Sequence, residues 1–166
     1  MPEIDLDETD FRLLQWLDRE GEVDVDEAAE EFDISTSTVY YRLDKYRQQG
    51  ILKGNVADLD PAKLGLELAA ITTIETSYER SHDEIAEELA ELSGVQRVYS
   101  MLGEMSFYVF SHVSDHSHLQ RISESIIEID GVENSVTNVV LRTYKDDPRL
   151  LSNYDEDDLE QLFNEE

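Results

Sequence analysis

The 166-residue sequence contains no cysteine, three prolines and only 13 basic side chains. Without thiols there is no disulfide framework and no Cys-ligated zinc or iron–sulfur centre, which fits a reducing, cytoplasmic setting. No apolar run approaches the roughly 18–20 residues of a bilayer-spanning helix, so no membrane partner is expected. Met1–Asp10 carries acids and no base, unlike a secretory signal. Also missing are a P-loop, a dinucleotide-binding glycine pattern, a nucleophile elbow and an HExxH pair. Carboxylate pairs carry no catalytic meaning in a chain this acidic. No enzyme activity, no catalytic residue and no cofactor are expected.

What is abundant is acid: 40 Asp+Glu give a formal charge of −27, and the bases are nine Arg but four Lys (Lys45, Lys53, Lys63, Lys145). Such a charge should repel nucleic acid and anionic lipid in dilute buffer. High acid with little lysine also resembles proteins that work in molar internal salt. There the Debye length falls to about 3 Å and self-repulsion is screened. Surface charge then reports the solvent and not the partner. The regular apolar periodicity excludes a disordered acidic chain.

The acid is unevenly spread. Asp24–Asp33 holds six acids and no base, whereas Ile34–Ala57 holds four bases (Arg42, Lys45, Arg47, Lys53) and one acid, Asp44. A local desert of carboxylates points to a face that meets an anionic partner; partial burial of Val39, Leu43, Ile51 and Leu52 is the competing explanation. The spacing predicts three helices. Asp7 caps the first, with Phe11, Leu14 and Leu17 as its stripe, widened by Leu13 and Trp16, and Gly21 as its stop. Asp24 and Glu27 start a short second helix presenting Ala28, Ala29 and Phe32. After the turn Asp33-Ile34-Ser35, Ser35 caps a third helix over Thr36–Gln49, with Val39, Leu43 and Tyr46 inward. Ile51–Leu59 reads as two short strands around Gly54, a wing.

Two helices across a tight turn are the geometry that sets a helix in a DNA major groove. The DNA-contact candidates are Ser35, Thr36, Ser37, Thr38, Tyr40, Tyr41, Arg42, Lys45, Arg47 and Lys53. Small hydroxyls at a helix start bond phosphate, and the two tyrosines offer uncharged contacts to base edges.

Leu6-Asp7-x-x-Asp10, then Ser35-x-Ser37-x-Val39-x-x-Arg42-Leu43, Gly50-Ile51-Leu52-x-Gly54 and Leu64-Gly65 together resemble the leucine-responsive/asparagine-synthesis regulator family, Lrp/AsnC, in a haloarchaeal form. The likeness runs from about Leu6 to Lys145. It implies a sequence-specific transcription regulator that binds double-stranded DNA. Val25, where the family often has Ser, and the very acidic second helix depart from the pattern.

Residues 67–145 contain a near-repeat: a helix followed by Gly94-Val95-x-x-Val98 recurs as a helix followed by Gly131-Val132-x-x-x-Val136. The elements read as strand 67–77, helix 82–92 capped by Ser81 with Glu84, strand 95–102, strand 105–113, helix 115–129 and strand 132–144. This β-α-β-β-α-β order is the split-βαβ, ferredoxin-like topology, of the type the family's effector (RAM) domain has. The fold class is thus α+β. An N-terminal winged helix-turn-helix (1–60) is followed by a linker (61–66), a ferredoxin-like dimerisation and effector domain (67–145) and an acidic tail (146–166). Stripes of Ile85, Leu89 and Leu92 and of Leu119, Ile122, Ile126 and Ile129 cover one sheet face. On the last strand Val132, Val136 and Val140 are expected to share a face, opposite Val139 and Leu141. The uncovered apolar face is expected to bury itself in a homodimer, and in the family dimers often join into larger rings.

A dimer offers two recognition helices to half-sites about 34 Å apart. With four phosphate-contacting bases per subunit, Z is near 8 and affinity falls on the order of 10⁷ per tenfold rise in salt. The resemblance also implies an amino-acid effector at the turn between the second and third strands. Candidates are Tyr99, Ser100, Met101, Gly103, Glu104, Ser106 and Thr137. Ser106 stands where the family has Asp, so a ligand-binding turn and a plain hairpin both remain open. His112, His116 and His118, with Asp115 among them, are weak metal candidates in an expected strand-to-helix turn; no metal is expected. For the tail, docking and free solvation are both open, with a short helix around Leu159, Leu162 and Phe163. The competing function is a metabolite-sensing or scaffold protein whose N-terminal domain binds protein instead of DNA.

Overall fold

The computed structural model describes residues 6–54, 57–103, 105–155, 157–159 and 161. The chain forms two compact units, Met1–Asp58 with Asp146–Glu166, and Leu59–Lys145. The acidic tail therefore belongs to the helical unit instead of standing apart.

In the helical unit, α1 spans Glu8–Glu20, α2 Val25–Glu31 and α3 Thr36–Gln48. Each starts at a side chain that satisfies free backbone N–H groups. Asp7 accepts from Asp10 N while Asp10 reciprocates at Asp7 N, a full capping box. Asp24 accepts from the amides of Asp26 and Glu27, and Ser35 from Thr38. The turn before α3 places Asp33 at φ 51°, a left-handed position that a short polar side chain tolerates. Leu13, Ala28, Ala29, Val39, Leu43 and Tyr46 form the core, flanked by Leu14, Trp16, Leu17 and Phe32. The stripe of α1 is thus centred on Leu13 and Asp10, one position away from the expected Phe11 line.

The expected wing is not a β-hairpin among the described residues. Ile51 and Leu52 tuck against the core, their amides both donating to the Tyr46 carbonyl (3.0 and 3.1 Å). Residues 51–54 and 57–59 carry no strand, because those amides close the end of α3 and are not offered to a ladder. Asn55 and Val56 lie outside the described residues.

The tail docks on α1. Asp18 accepts hydrogen bonds from Leu150 N and Ser152 N (2.8 Å each) and from Ser152 Oγ (2.9 Å), gripping a 3₁₀ turn at Leu151–Asn153. Burial raises the Asp18 carboxyl, but the amides of Ser152 and Leu150 outweigh it and hold the group below the usual carboxylate range. Residues 157–159 are helical and Leu159 is buried. Leu162 and Phe163 lie outside the described residues.

In the other unit, a 3₁₀ turn at Ala62–Leu64 leads to β1 (Leu68–Thr76), α4 (His82–Glu91), β2 (Val95–Ser100), β3 (Phe107–Val113), α5 (His116–Glu128) and β4 (Val132–Val139). The sheet is antiparallel in the order β2-β3-β1-β4, so the βαββαβ reading holds. Strand ends are shorter than the apolar pattern suggested: Leu102 and Leu141 are fully exposed beyond their strands. Ser81 makes no capping bond, and Glu84 pairs with Arg80 instead (3.2 Å).

The near-repeat has a packing cause. Gly94 and Gly131 both sit at φ 91°. A Cβ on Gly94 would lie 3.0 Å from Ile122 Cδ1, and one on Gly131 3.0 Å from Ile85 Cδ1. Each helix leans on the glycine that follows the other helix. One expectation fails: Val132 packs on the helix-covered core, whereas Val136 pairs with Thr73 and is exposed. A register shift at Glu75/Thr76 inserts the odd residue that flips the alternation between them.

Candidate DNA-reading helix and effector region

All ten DNA-contact candidates lie on α3 or its flanks, but they do different work. Ser35 and Thr38 are engaged in the cap itself: Ser35 Oγ lies 2.8 Å from both Ser37 Oγ and Thr38 Oγ1. Thr36, Ser37, Tyr40 and Tyr41 face outward, the tyrosines 59% and 70% exposed. At about 1.5 Å per residue, the 13 residues of α3 span roughly 20 Å.

Arg42 departs from expectation. Its guanidinium forks onto two carboxylates at the start of α1, Nη2 on Asp7 Oδ2 (2.8 Å) and Nη1 on Asp7 Oδ1 (2.8 Å) and on Asp10 Oδ1. Its side chain is only 18% exposed and that of Asp10 2%. Tyr46 Oη, fully buried, donates to Asp10 Oδ1 at 2.6 Å, and Lys45 Nζ stands 3.7 Å from Asp10 Oδ2. The Arg42 guanidinium beside Asp7 holds that carboxyl low. For Asp10, burial pushes upward, but bonds from Tyr46, the Asp7 amide and Arg42 overcome it and the group stays below its ordinary value. Burial, then the Asp10 contact, pushes the Tyr46 phenol well above its ordinary value. Arg42 therefore ties α3 to α1 instead of projecting at a ligand.

Arg47 pairs with Asp44 at 2.8 Å, both more than half exposed, and Lys53 is exposed. Such surface pairs hold weakly, about 0–1 kcal/mol, so Arg47 is available to a polyanion.

The effector candidates split between the two sheet faces. Tyr99 and Met101 line an open groove of about 290 Å³ with Ile71, Arg97, Tyr108, Val109 and Phe110. Arg97 lies over the Phe110 ring at 5.5 Å. Ser106 turns away from it. Its hydroxyl accepts from Thr76 N (3.1 Å) and Thr76 Oγ1 (2.9 Å), and Thr76 in turn meets His82 Nε2 at 3.1 Å. Thr137 also turns inward, to Thr72 (2.9 Å) and Ser123 (3.2 Å) under α5. Period-two alternation separates them: Tyr99 and Met101 share a face that Ser100, between them, does not. Gly103 sits in the exposed turn, and Glu104 lies outside the described residues.

The histidines are not gathered: His112 Nδ1 bonds Gln96 Oε1 (2.8 Å), and the amide of His118 is capped by Asp115. Among the described residues no group of three or more His, Asp or Glu is poised for a metal, and no helix is long and apolar enough to cross a membrane.

Two family models match in succession, winged helix-turn-helix DNA-binding over residues 6–53 and the Lrp/AsnC ligand binding domain over residues 69–150. An uncharacterised HTH-type transcriptional regulator of Pyrococcus abyssi is 30% identical over 145 residues, covering 87% of this chain and 98% of that protein. The chain belongs to the Lrp/AsnC family. A further relative of this family member, the regulator LysM of Saccharolobus solfataricus, is 25% identical over 87% of this chain and 99% of its own. Among solved structures, a Neisseria meningitidis transcriptional regulator in complex with L-Met superposes with TM-score 0.80 at 23% identity, covering 88% and 96% of the two chains. E. coli AsnC superposes with TM-score 0.78 at 24% identity, covering 86% and 96%. Both likenesses support the fold.

Proposed function

We propose that this Lrp/AsnC protein is a sequence-specific transcription regulator that reads duplex DNA with α3, acts as a homodimer or larger assembly, and responds to an amino acid or similar metabolite. The observation that carries the reading is α3 itself. It holds one acid in 13 residues of a chain with 40, and it turns Thr36, Ser37, Tyr40 and Tyr41 to solvent within a matched DNA-binding fold. Exposed Ile71, Tyr99, Met101, Tyr108 and Val136 on the uncovered sheet face support sheet-to-sheet pairing. The effector reading is supported by the ligand-binding family model and by the L-Met complex of the Neisseria relative. Within the groove, Tyr99 and Met101 are the contacts that the geometry favours. No catalytic role is proposed, and the setting is cytoplasmic.

The acid-rich, lysine-poor surface supports a protein that works in molar internal salt, a trait on which the Pyrococcus and Saccharolobus relatives are silent. Selection of binders from a pool of random 30-bp duplexes in 2 M KCl tests the reading. One enriched, pseudo-palindromic sequence is expected. A folded, assembled protein that enriches nothing would reject it.

A further inference from the structure

The geometry points to a reading surface that is close to neutral: Tyr40 and Tyr41 determine specificity, while Arg42 and Lys45 are positioning residues that hold α3 and do not touch phosphate. This rests on the DNA-binding reading above and deepens it.

Counting the bases of α3 and the segment after it (Arg42, Lys45, Arg47 and Lys53) suggests four phosphate contacts per subunit. The structure withdraws two of them. Arg42 is 18% exposed and spans Asp7 and Asp10, and Lys45 is 27% exposed against the same buried Asp10. Swinging Arg42 outward would take the guanidinium from a carboxylate that is 2% exposed, leaving it the neutral donors Tyr46 Oη and the Asp7 amide and, at 3.7 Å, Lys45. Breaking a buried pair in this way is strongly unfavourable, so a phosphate in water is a poor competitor for Arg42. Arg47 and Lys53 remain. For a dimer Z is then near 4, giving a slope of about −3.6 in log K against log salt, where four bases per subunit would give about −7.

The difference decides whether the protein works in brine. A tenfold rise in salt would cost roughly 4,000-fold in affinity instead of about 10⁷. The missing affinity has to come from contacts that salt does not screen. Tyr40 and Tyr41 sit side by side, more than half exposed, on a helix whose one acid, Asp44, is paired with Arg47. Each presents a ring for thymine methyls and sugar edges and a hydroxyl for base acceptors. Thr36 and Ser37 add small hydroxyls at the helix start.

The test uses the full-length protein, the duplex enriched from the random pool, and a scrambled duplex of the same composition. Fluorescence polarisation is followed from 0.2 to 3 M KCl. A slope near −4 is expected. Tyr40→Ala and Tyr41→Ala should each weaken the enriched duplex at least tenfold, erode its preference over the scrambled one, and leave the slope unchanged. Arg42→Gln should lower affinity with no change in slope, whereas Arg47→Gln should flatten it by about 1.8. A slope near −7, an Arg42→Gln variant whose slope flattens by about 1.8, or tyrosine variants with unaltered preference would each overturn the inference while DNA binding itself stood. If Arg42→Gln fails to fold, the exposed tyrosine positions and the wild-type slope still decide. A protein that enriches no duplex overturns the underlying reading as well.

Discussion

In the helical unit the buried polar group is a carboxylate, Asp10, met by Arg42, Lys45 and Tyr46. In the sheet unit the buried polar groups include neutral hydroxyls, Thr72 against Thr137 and Thr76 against Ser106. The two arrangements differ in consequence. A buried charge with one missing partner costs far more than a hydroxyl with one missing partner. The smaller, charge-clamped unit is therefore the one whose geometry is fixed sharply, and also the one most easily broken. That suits its task, because a helix must be held at a set angle to fit a groove. The sheet unit tolerates adjustment, as suits the self-pairing and ligand binding proposed for it.

The largest effect expected is at Asp10. Asp10→Ala removes the partner of Arg42, Lys45 and Tyr46 together and should destabilise the helical unit by about 3–5 kcal/mol. Two-step thermal unfolding is expected by calorimetry, the early step belonging to the helical unit and the sheet unit unchanged. A single unshifted transition would mean that the clamp does not distinguish the units.

Next is the open sheet face. Val136→Asp places a charge on the sheet face that Ile71, Tyr99, Met101 and Tyr108 share, at the β4 edge beside Thr73. Sedimentation should show association weakened by at least about 100-fold, since burying an unpaired charge costs several kcal/mol. Tyr41→Asp, which charges a still more exposed position on α3, should leave assembly intact and remove DNA binding. Exposure alone does not distinguish the two surfaces; contiguity of the apolar patch does.

Acid sharpens the contrast further. Asp7, Asp10 and Asp18 all have carboxyls held below their ordinary value in the fold. A group depressed in the folded state stabilises fully above its unfolded pKa, near 4, and loses that contribution as pH falls through the folded value. The helical unit should therefore melt first below about pH 4, seen as loss of Trp16 fluorescence structure while the sheet signal persists. Tyr46, raised in the fold, has the opposite sign. Its contribution is complete below about pH 10 and is lost only above that, so one of the eight tyrosines should titrate late by ultraviolet absorbance.

Much of this was legible in the sequence, for identifiable reasons. Helix caps at Asp7, Asp24 and Ser35 are local chemistry, and the βαββαβ order follows from alternating periods of two and 3.6. The paired glycines, 94 and 131, announced the repeat. Three features needed coordinates. Arg42 reads as a DNA contact until Asp7 and Asp10, more than 30 residues away, are seen to occupy it. The bulge near Glu75 reverses which face Val136 occupies, and one extra residue leaves no mark on an apolar pattern. The tail's docking depends on Asp18, which meets residues more than 130 positions later. Long-range pairing of single polar groups has no periodicity to read.

The tail gives a smaller prediction. Asp18→Asn keeps the shape of the side chain but weakens its acceptance from two amides and a hydroxyl, for a loss on the order of 1–2 kcal/mol. Amide hydrogen exchange at Leu150 and Ser152 should rise in that variant, with exchange in β1 and β3 unaffected.

The smallest effect expected lies in the neutral network, and it completes the contrast with Asp10. Thr72→Val with Thr137→Val removes both hydroxyls of the pair while keeping volume close to constant, and Ser123, which also meets Thr137, keeps its bond to the Leu119 carbonyl. Replacing both partners by apolar groups of similar shape is close to neutral, within about 1 kcal/mol. The single Thr137→Val change leaves the hydroxyl of Thr72, 2% exposed, without its partner and should cost more than the double change does. A double-mutant cycle by urea unfolding reads this directly. If the double variant lost as much as Asp10→Ala, the neutral network would be as unforgiving as the charged one, and the division of labour between the two units would fall.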